Sequence, residues 1–400
     1  VPARRPRRLL ALTLAAIVLL GAVAAALALA LGSSDNPQGD ASAKRAHSRE
    51  TGPGTIVRSE RLANPPVGAA GGWRIYYRSR GYNGKPAVVS GLLFTPEGGG
   101  SSRAIVAFTH PTVGVASRCA PSLNQSSWSK IEGLQKFLAA GDVVVAPDYQ
   151  GLGSAGPHPY LVGDSEAWNT LDAVRAAGRF APARAGRAFV AWGVSQGGQA
   201  ALFTGLRAHA YAPELRLLGV AVGAPASQLS HLFAEGGDSP FARLVSAYAL
   251  QSWSVVYPRL HLSSVLTSEA RALVRNIAAI CVDELNSPHA ETLIGESLSG
   301  SYLHAGTWYA QPLAGILRAN TPRPLPSTIP LLVTQGEADQ VVAPSETAAL
   351  VRSLCAAGDA VEYRTLPGVT HEYTGEESAG LVSAWVAQRF AGQPAPSNCG

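Results

Sequence analysis

The 400-residue chain has no methionine, only four cysteines, and only 15 % charged residues. Lysine is scarce beside arginine. Each shortage excludes something. Cys119, Cys281, Cys355 and Cys399 form no Cys-x-x-Cys pair, and the nine histidines do not cluster, so no zinc-ligand spacing is present. No metal and no other cofactor is expected. The formal charge of +5 is not spread evenly: residues 1–50 carry seven Lys or Arg against three Asp or Glu, which leaves the rest of the chain close to neutral. A near-neutral folded part lacks the electrostatic footprint of a nucleic-acid binder. The preference for arginine over lysine, with abundant alanine, points to a GC-rich genome and a bacterial source.

Long apolar runs are concentrated at one end. Arg4, Arg5, Arg7 and Arg8 precede an unbroken apolar stretch from Leu9 to Leu31. A basic flank followed by such a run reads as an export signal or a membrane anchor, long enough to span a bilayer and with a small-x-small cleavage site at Ala28-Leu29-Ala30. Either way the basic end stays cytoplasmic and residues beyond about 32 lie outside. Residues 32–55, rich in Ser, Gly, Asn and charge, read as a solvated linker. An even number of cysteines suits that compartment and favours two disulfides, with three connectivities open.

With 46 % hydrophobic residues the remainder can bury a large core, and its length suits one α/β domain with an insertion. Trp73–Arg78 and Ala87–Phe94 flank Asn83-Gly84 and predict a hairpin. Buried strands are predicted at 104–108, 142–146, the run before residue 195, 217–223 and 329–336, with a last strand at 361–366. Helices are predicted over 129–140, 166–178 and 377–391. This alternation predicts a mainly parallel sheet with helices on both faces. Residues 228–321 break the rhythm, with helical patterns around 240–256, 267–284 and 290–304, and read as a helical cap above the strand ends. The domains expected are a leader or anchor over 1–31, the linker over 32–55, core over 56–227, cap over 228–321, and core with tail over 322–400.

The chemistry-bearing motif is Gly193-Val194-Ser195-Gln196-Gly197, preceded by a strand and followed by a small-residue helix. This is the pattern of a nucleophile elbow, in which a strained turn lifts a Ser hydroxyl clear of the backbone. In this order of strands the acid and base follow the Ser, each on a loop after a strand. Asp339, in Gly336-Glu337-Ala338-Asp339, and His371, in Gly368-Val369-Thr370-His371, satisfy that order. His371 is the expected base, Asp339 its orienting acid, and Glu337 the rival acid. The backbone N–H of Gln196 is the expected first oxyanion donor. Pro111 follows His110 and has no N–H, so the second donor falls on Thr112, with Val113 and Gly114 as alternatives. His110 and Asp148 are expected to brace loops rather than react. The cap aromatics Phe241, Tyr248, Trp253, Tyr257, Tyr302, Trp308 and Tyr309 could line a pocket, but mostly read as the cap's own core.

Three further segments, Cys119-Ala120-Pro121-Ser122, Asp148-Tyr149-Gln150-Gly151 and Tyr211-Ala212-Pro213-Glu214-Leu215, accompany the elbow. Over about residues 70–390 the chain resembles the secretory lipase family of α/β-hydrolases, which includes the fungal lipase A type. The resemblance implies an α/β-hydrolase fold with a helical cap over an acyl tunnel, secretion, and hydrolysis of lipid esters. It also implies the pairings Cys119–Cys281 and Cys355–Cys399. Pro111 and the long basic-flanked apolar N-terminus depart from the family pattern. The expected activity is that of an extracytoplasmic carboxylesterase or triacylglycerol lipase acting through an acyl-enzyme. An envelope-lipid acyltransferase with the same triad, and a non-catalytic surface binding protein on this scaffold, are the alternatives.

Overall fold

The computed structural model describes residues 51–124, 127–234, 240–285, 303–304, 306–326 and 328–399. The apolar run Leu9–Leu31, most of the expected linker, Tyr302 and nearly all of the helical pattern over 290–304 lie outside the described residues. No helix among the described residues is long and apolar enough to cross a membrane.

Among the described residues nine strands make one sheet: β1 (Ile56–Arg61), β2 (Ala69–Arg80), β3 (Pro86–Pro96), β4 (Arg103–Thr109), β5 (Val143–Pro147), β6 (Ala185–Val194), β7 (Arg216–Gly223), β8 (Leu331–Gly336) and β9 (Val361–Leu366). Their order is β1-β2-β3-β5-β4-β6-β7-β8-β9. The pairings β1/β2, β2/β3 and β3/β5 are antiparallel, and the rest are parallel. The parallel strands are short runs of Val, Ala and Leu because both faces are covered. In β6, Val190 and Trp192 pack on one face of the sheet, and Phe189 and Ala191 on the other. The first face is covered by α1 (Leu134–Ala139) and α9 (Thr374–Phe390), through Phe137, Val382 and Trp385. The second is covered by α2 (Gly163–Arg179), α3 (Gln196–Tyr211) and α8 (Pro344–Ala356). This is the α/β-hydrolase fold.

Between β7 and β8 the chain leaves the sheet and builds the cap from α4 (Leu229–Ala234), α5 (Pro240–Val256), α6 (Ser268–Ala278) and α7 (Leu313–Asn320). Its core contains Phe233, Tyr248, Trp253 and Trp308, and it extends onto Tyr160 and Leu161 of the loop after β5. Residues 51–400 form one compact unit by their contacts, so the cap is part of the core's packing.

Several expectations are corrected. The linker does not reach residue 55: Gly54 N–H donates to Arg78 O at 2.7 Å and Arg78 N–H to Thr55 O at 2.9 Å, so β-pairing begins there. β1 was not expected, because Ile56-Val57-Arg58-Ser59-Glu60-Arg61 has a largely solvated edge and little apolar signal. The helix expected over 129–140 starts only at Leu134, after a 3-10 turn at Ser127–Lys130. The one expected over 267–284 ends at Ala278. Leu266 and Leu303 form an isolated antiparallel bridge within the cap.

The C-terminal tail is fastened to the outer strand. Cys399 is bonded to Cys355 of α8. Beside it, Asn398 exchanges side-chain hydrogen bonds with the backbone of Tyr363, at 2.8 and 2.9 Å, and its own N–H donates to Val361 O at 2.9 Å. One residue thereby mimics a partner strand along the open edge of β9. The Cys355→Ser variant is expected to lose about 2–4 kcal/mol of stability, because the cross-link no longer restricts the unfolded chain. Esterase activity well below the melting temperature should be unchanged. Thermal melts with and without reductant check this, and a reductant-insensitive wild-type melt would contradict it.

Candidate active site

Ser195 lies between β6 and α3 with φ 57°, ψ −120°. A non-glycine residue held there costs roughly 1–3 kcal/mol, so its surroundings must enforce the turn. They do so by close approach. A Cβ on Gly197 would lie 1.9 Å from the backbone oxygen of Thr109, at the end of β4. A Cβ on Gly193 would lie 2.0 Å from Thr109 Oγ1. Only glycine fits at either place, which is the physical content of the Gly-x-Ser-x-Gly spacing. The Thr109 hydroxyl fills the gap and lies within hydrogen-bonding range of Gly197 O at 2.8 Å and Trp192 O at 3.0 Å. Ser195 N–H donates to Gly223 O at 2.9 Å, tying the turn to β7.

Two loops from the same sheet edge reach the Ser. His371 Nε2 lies 3.0 Å from Ser195 Oγ, and His371 Nδ1 lies 2.8 Å from Asp339 Oδ2. Asp339 is buried, and its carboxylate gathers three more donors: Val341 N–H at 2.8 Å, Val342 N–H at 2.9 Å and Gln335 Nε2 at 3.0 Å. Thr347 Oγ1 donates to Gln335 Oε1 at 2.6 Å and holds that amide in place. Glu337, the rival acid, is exposed.

Thr112 and Gln196 line the same cavity as Ser195. Its other walls include Tyr160, Leu161, Leu232, Phe241, Val245 and Val342, and they close to a space of only about 20 Å³, room for little more than one water molecule. Among the described residues of the expected set of cap aromatics, Phe241 reaches this cavity. Tyr248 and Trp253 are buried in the cap core, and Tyr309 is exposed. The Phe241 ring centroid is 6.5 Å from that of His371.

His110 takes no part in this line. Its Nδ1 faces Pro111 O at 2.7 Å and its Nε2 faces Asp148 O at 3.2 Å, while burial lowers its pKa. It braces the loop after β4. Asp148 is buried; it accepts from Ser90 Oγ at 2.6 Å, from Ser122 N–H at 2.9 Å and from the Ser122 hydroxyl. Burial raises its pKa. Both residues hold the loops that carry Thr112.

That loop is also joined to the cap. Cys119 is bonded to Cys281, Val282 N–H donates to Val113 O at 2.9 Å, and Arg118 pairs with Glu284 at 2.6 Å. A second connection runs through Tyr160, whose hydroxyl lies 2.8 Å from Thr112 Oγ1. Tyr160 is held by α5: its N–H donates to Ser252 Oγ at 2.9 Å, and Trp253 Nε1 donates to its carbonyl at 2.8 Å. Tyr160, Gln335 and the buried Glu166 beside Gln196 were not anticipated from sequence. Glu166 reads there as an ordinary acidic residue in a first helical turn, where the helix dipole favours it.

A Ser–His–Asp line on a strained strand-to-helix turn, under a helical cap, defines a serine ester hydrolase of the α/β-hydrolase class. The model of the secretory lipase family matches residues 129–398. The chain belongs to that family. It is 25 % identical to a lipase A of Arthroderma benhamiae over 377 residues, covering 88 % of this chain and 78 % of the relative. It is 26 % identical over 377 residues to a probable inactive lipase of Mycobacterium tuberculosis, covering 86 % and 79 %. Among solved structures, Candida antarctica lipase A in its closed state superposes with a TM-score of 0.71 at 19 % identity, covering 87 % of this chain and 85 % of that one.

Replacing Asp339 by Asn should cut kcat for ester hydrolysis by about 10³- to 10⁴-fold, because the amide favours the wrong imidazole tautomer. Glu337→Gln should leave kcat within about twofold. Steady-state kinetics on the two variants decide between the acids, and the reverse pattern would move the assignment to Glu337.

Proposed function

We propose that the chain is an extracytoplasmic carboxylic-ester hydrolase of lipase type, acting on lipid or other acyl esters through a Ser195–His371–Asp339 triad and an acyl-enzyme. The observation that carries this reading is the continuous hydrogen-bonded line from Ser195 Oγ through His371 to Asp339, with Ser195 in the wall of a mainly apolar cavity.

The chemistry follows from the order of the contacts. With Nδ1–H donated to Asp339, the His371 Nε2 lone pair faces the Ser195 hydroxyl and takes its proton as Oγ attacks the ester carbonyl. The Asp339 carboxylate then sits against the imidazolium. The carbonyl oxygen becomes an oxyanion at the N-terminus of α3, where the Gln196 N–H and, from the facing loop, the Thr112 N–H receive it. His371 returns the proton to the leaving alkoxide, giving the acyl-enzyme and an alcohol. Water, deprotonated by the same His371, releases the acid and restores Ser195. Tyr160, Leu161, Leu232 and Val245 offer apolar surface to an acyl chain, which favours lipid over polar esters.

The extracytoplasmic setting rests on membership of a secretory family and on two disulfides, which persist in oxidising compartments. A secreted triacylglycerol lipase of Malassezia furfur is among the relatives, 26 % identical over 241 residues, covering 58 % of this chain and 44 % of the relative. A triacylglycerol substrate is therefore one arm of the test.

Hydrolysis of p-nitrophenyl esters from acetate to oleate gives the preferred acyl length, with Ser195→Ala as control. The variant should lose at least about 10³-fold in kcat/KM with its melting temperature nearly unchanged. A fluorophosphonate should label the wild type and not the variant. Retained turnover in Ser195→Ala would remove the nucleophile assignment, and a folded wild type that neither turns over nor labels would favour a non-catalytic binding protein.

A further inference from the structure

Glu166 is fully buried in the first turn of α2. Its Oε1 accepts two hydrogen bonds. One, at 2.7 Å, comes from the side-chain amide of Gln196, the residue directly after Ser195. The other, at 3.2 Å, comes from the N–H of Leu161. Leu161 has a left-handed backbone, φ 54°, and follows Tyr160, whose hydroxyl meets Thr112 Oγ1. One carboxyl oxygen therefore joins the supports of both expected oxyanion donors. Glu166 Oε2 and Gln196 Oε1 are buried without a hydrogen-bond partner among the described residues.

We propose that Glu166 is a positioning residue of the oxyanion hole, which must be protonated to hold Gln196 and the Tyr160–Leu161 turn without placing a negative charge behind the developing oxyanion. The inference rests on Ser195 being the nucleophile and Gln196 the donor.

Burial favours the neutral form of Glu166 against the opposite pull of its two N–H donors, and the groups facing it bring no positive charge. They are Tyr149 after β5, Tyr160 on the following loop, and Tyr257 at the end of α5. All three tyrosines titrate above their ordinary value because they are buried, so they stay neutral and supply no cation. No ion pair to Glu166 is found among the described residues. Burial pushes its carboxyl up to about 8. A neutral carboxyl still accepts the two N–H bonds through its carbonyl oxygen, whereas an ionised one adds a charge that an oxyanion nearby must oppose. The folded-state pKa exceeds the unfolded one, and the favoured neutral form is lost first from the unfolded chain. Stability is thus highest below the usual carboxylate range and declines up to about pH 8, beyond which both states are ionised.

The test is the pH profile of kcat on p-nitrophenyl butyrate from pH 6 to 10 for the wild type, Glu166→Gln and Glu166→Ala, with Ser195→Ala alongside. The wild type should lose activity on the basic side with a midpoint near pH 8. Glu166→Gln, which keeps the acceptor and cannot ionise, should lie within about threefold of wild-type kcat at pH 7 and lack that descent. Its melting temperature should exceed that of the wild type by a margin that widens between pH 5 and pH 8. Glu166→Ala should lose about tenfold or more in kcat at pH 7, with KM changed less than about twofold. The Gln variant alone decides the matter if the Ala variant fails to fold. A basic limb in Glu166→Gln superimposable on that of the wild type, or no basic limb in the wild type, would overturn the inference. Activity in Ser195→Ala would instead remove the nucleophile on which it rests.

Discussion

The structure depends on the contact between Gly197 and Thr109. At this point the first turn of α3 touches the end of β4 so closely that no side chain fits between them. Everything else at the site follows from that approach. It fixes the direction in which α3 leaves the sheet, and so aims its free N–H groups at the space above Ser195. Ser195 takes its unfavourable φ at this same turn from β6 into α3. Roughly 1–3 kcal/mol of strain is small against the burial of β6, whose residues from Phe189 to Trp192 are fully covered on both faces. The central position of β6, between β4 and β7, lets the turn be strained without being loose.

A second constraint acts from above. The loop after β4 is short of internal anchors, since Pro111 contributes no N–H, and it borrows rigidity from three sources. His110 and Asp148 hold it from below. The Cys119–Cys281 bond and the Val282–Val113 hydrogen bond hold it from the cap. Tyr160 holds Thr112 while itself being held by Ser252 and Trp253 of α5. The cap therefore does two things at once. It supplies walls such as Phe241 and Val245, and it fixes the position of an expected oxyanion donor. Changes in cap packing should be felt in the chemical step as well as in substrate selection.

The sheet and the Ser–His–Asp line were legible in the sequence for a physical reason. Strands buried on both faces must be continuous apolar runs, and a strained elbow admits only glycine at Gly193 and Gly197. Asp339 stands out because it directly follows such a strand, and His371 because it follows the last strand of the series, the half-exposed β9. β1 was not legible, because a strand paired on one side with solvated side chains carries no hydrophobic signal. The cap's helix ends were blurred for a related reason: α6 stops at Ala278, where its backbone turns into the segment that meets the oxyanion loop, and apolar residues continue past that point. Glu166 was hidden altogether. An acidic residue in a first helical turn looks solvated, and only the fold reveals that α3 and the Tyr160 turn close over it.

Glu166 and Asp339 illustrate how a fold assigns roles to carboxyls of similar chemistry. Four donors converge on Asp339: two backbone N–H groups, the Gln335 amide and the His371 ring. Each is oriented toward negative charge, and together they form the environment in which a carboxylate can face an imidazolium. Glu166 receives two donors on one oxygen and none on the other. Burial raises its pKa to about 8. Both carboxyls lie near Ser195, yet one is arranged to complement a cation and the other to avoid opposing an anion. A site that must stabilise an imidazolium on one side of a reacting oxygen and an oxyanion on the other requires that asymmetry.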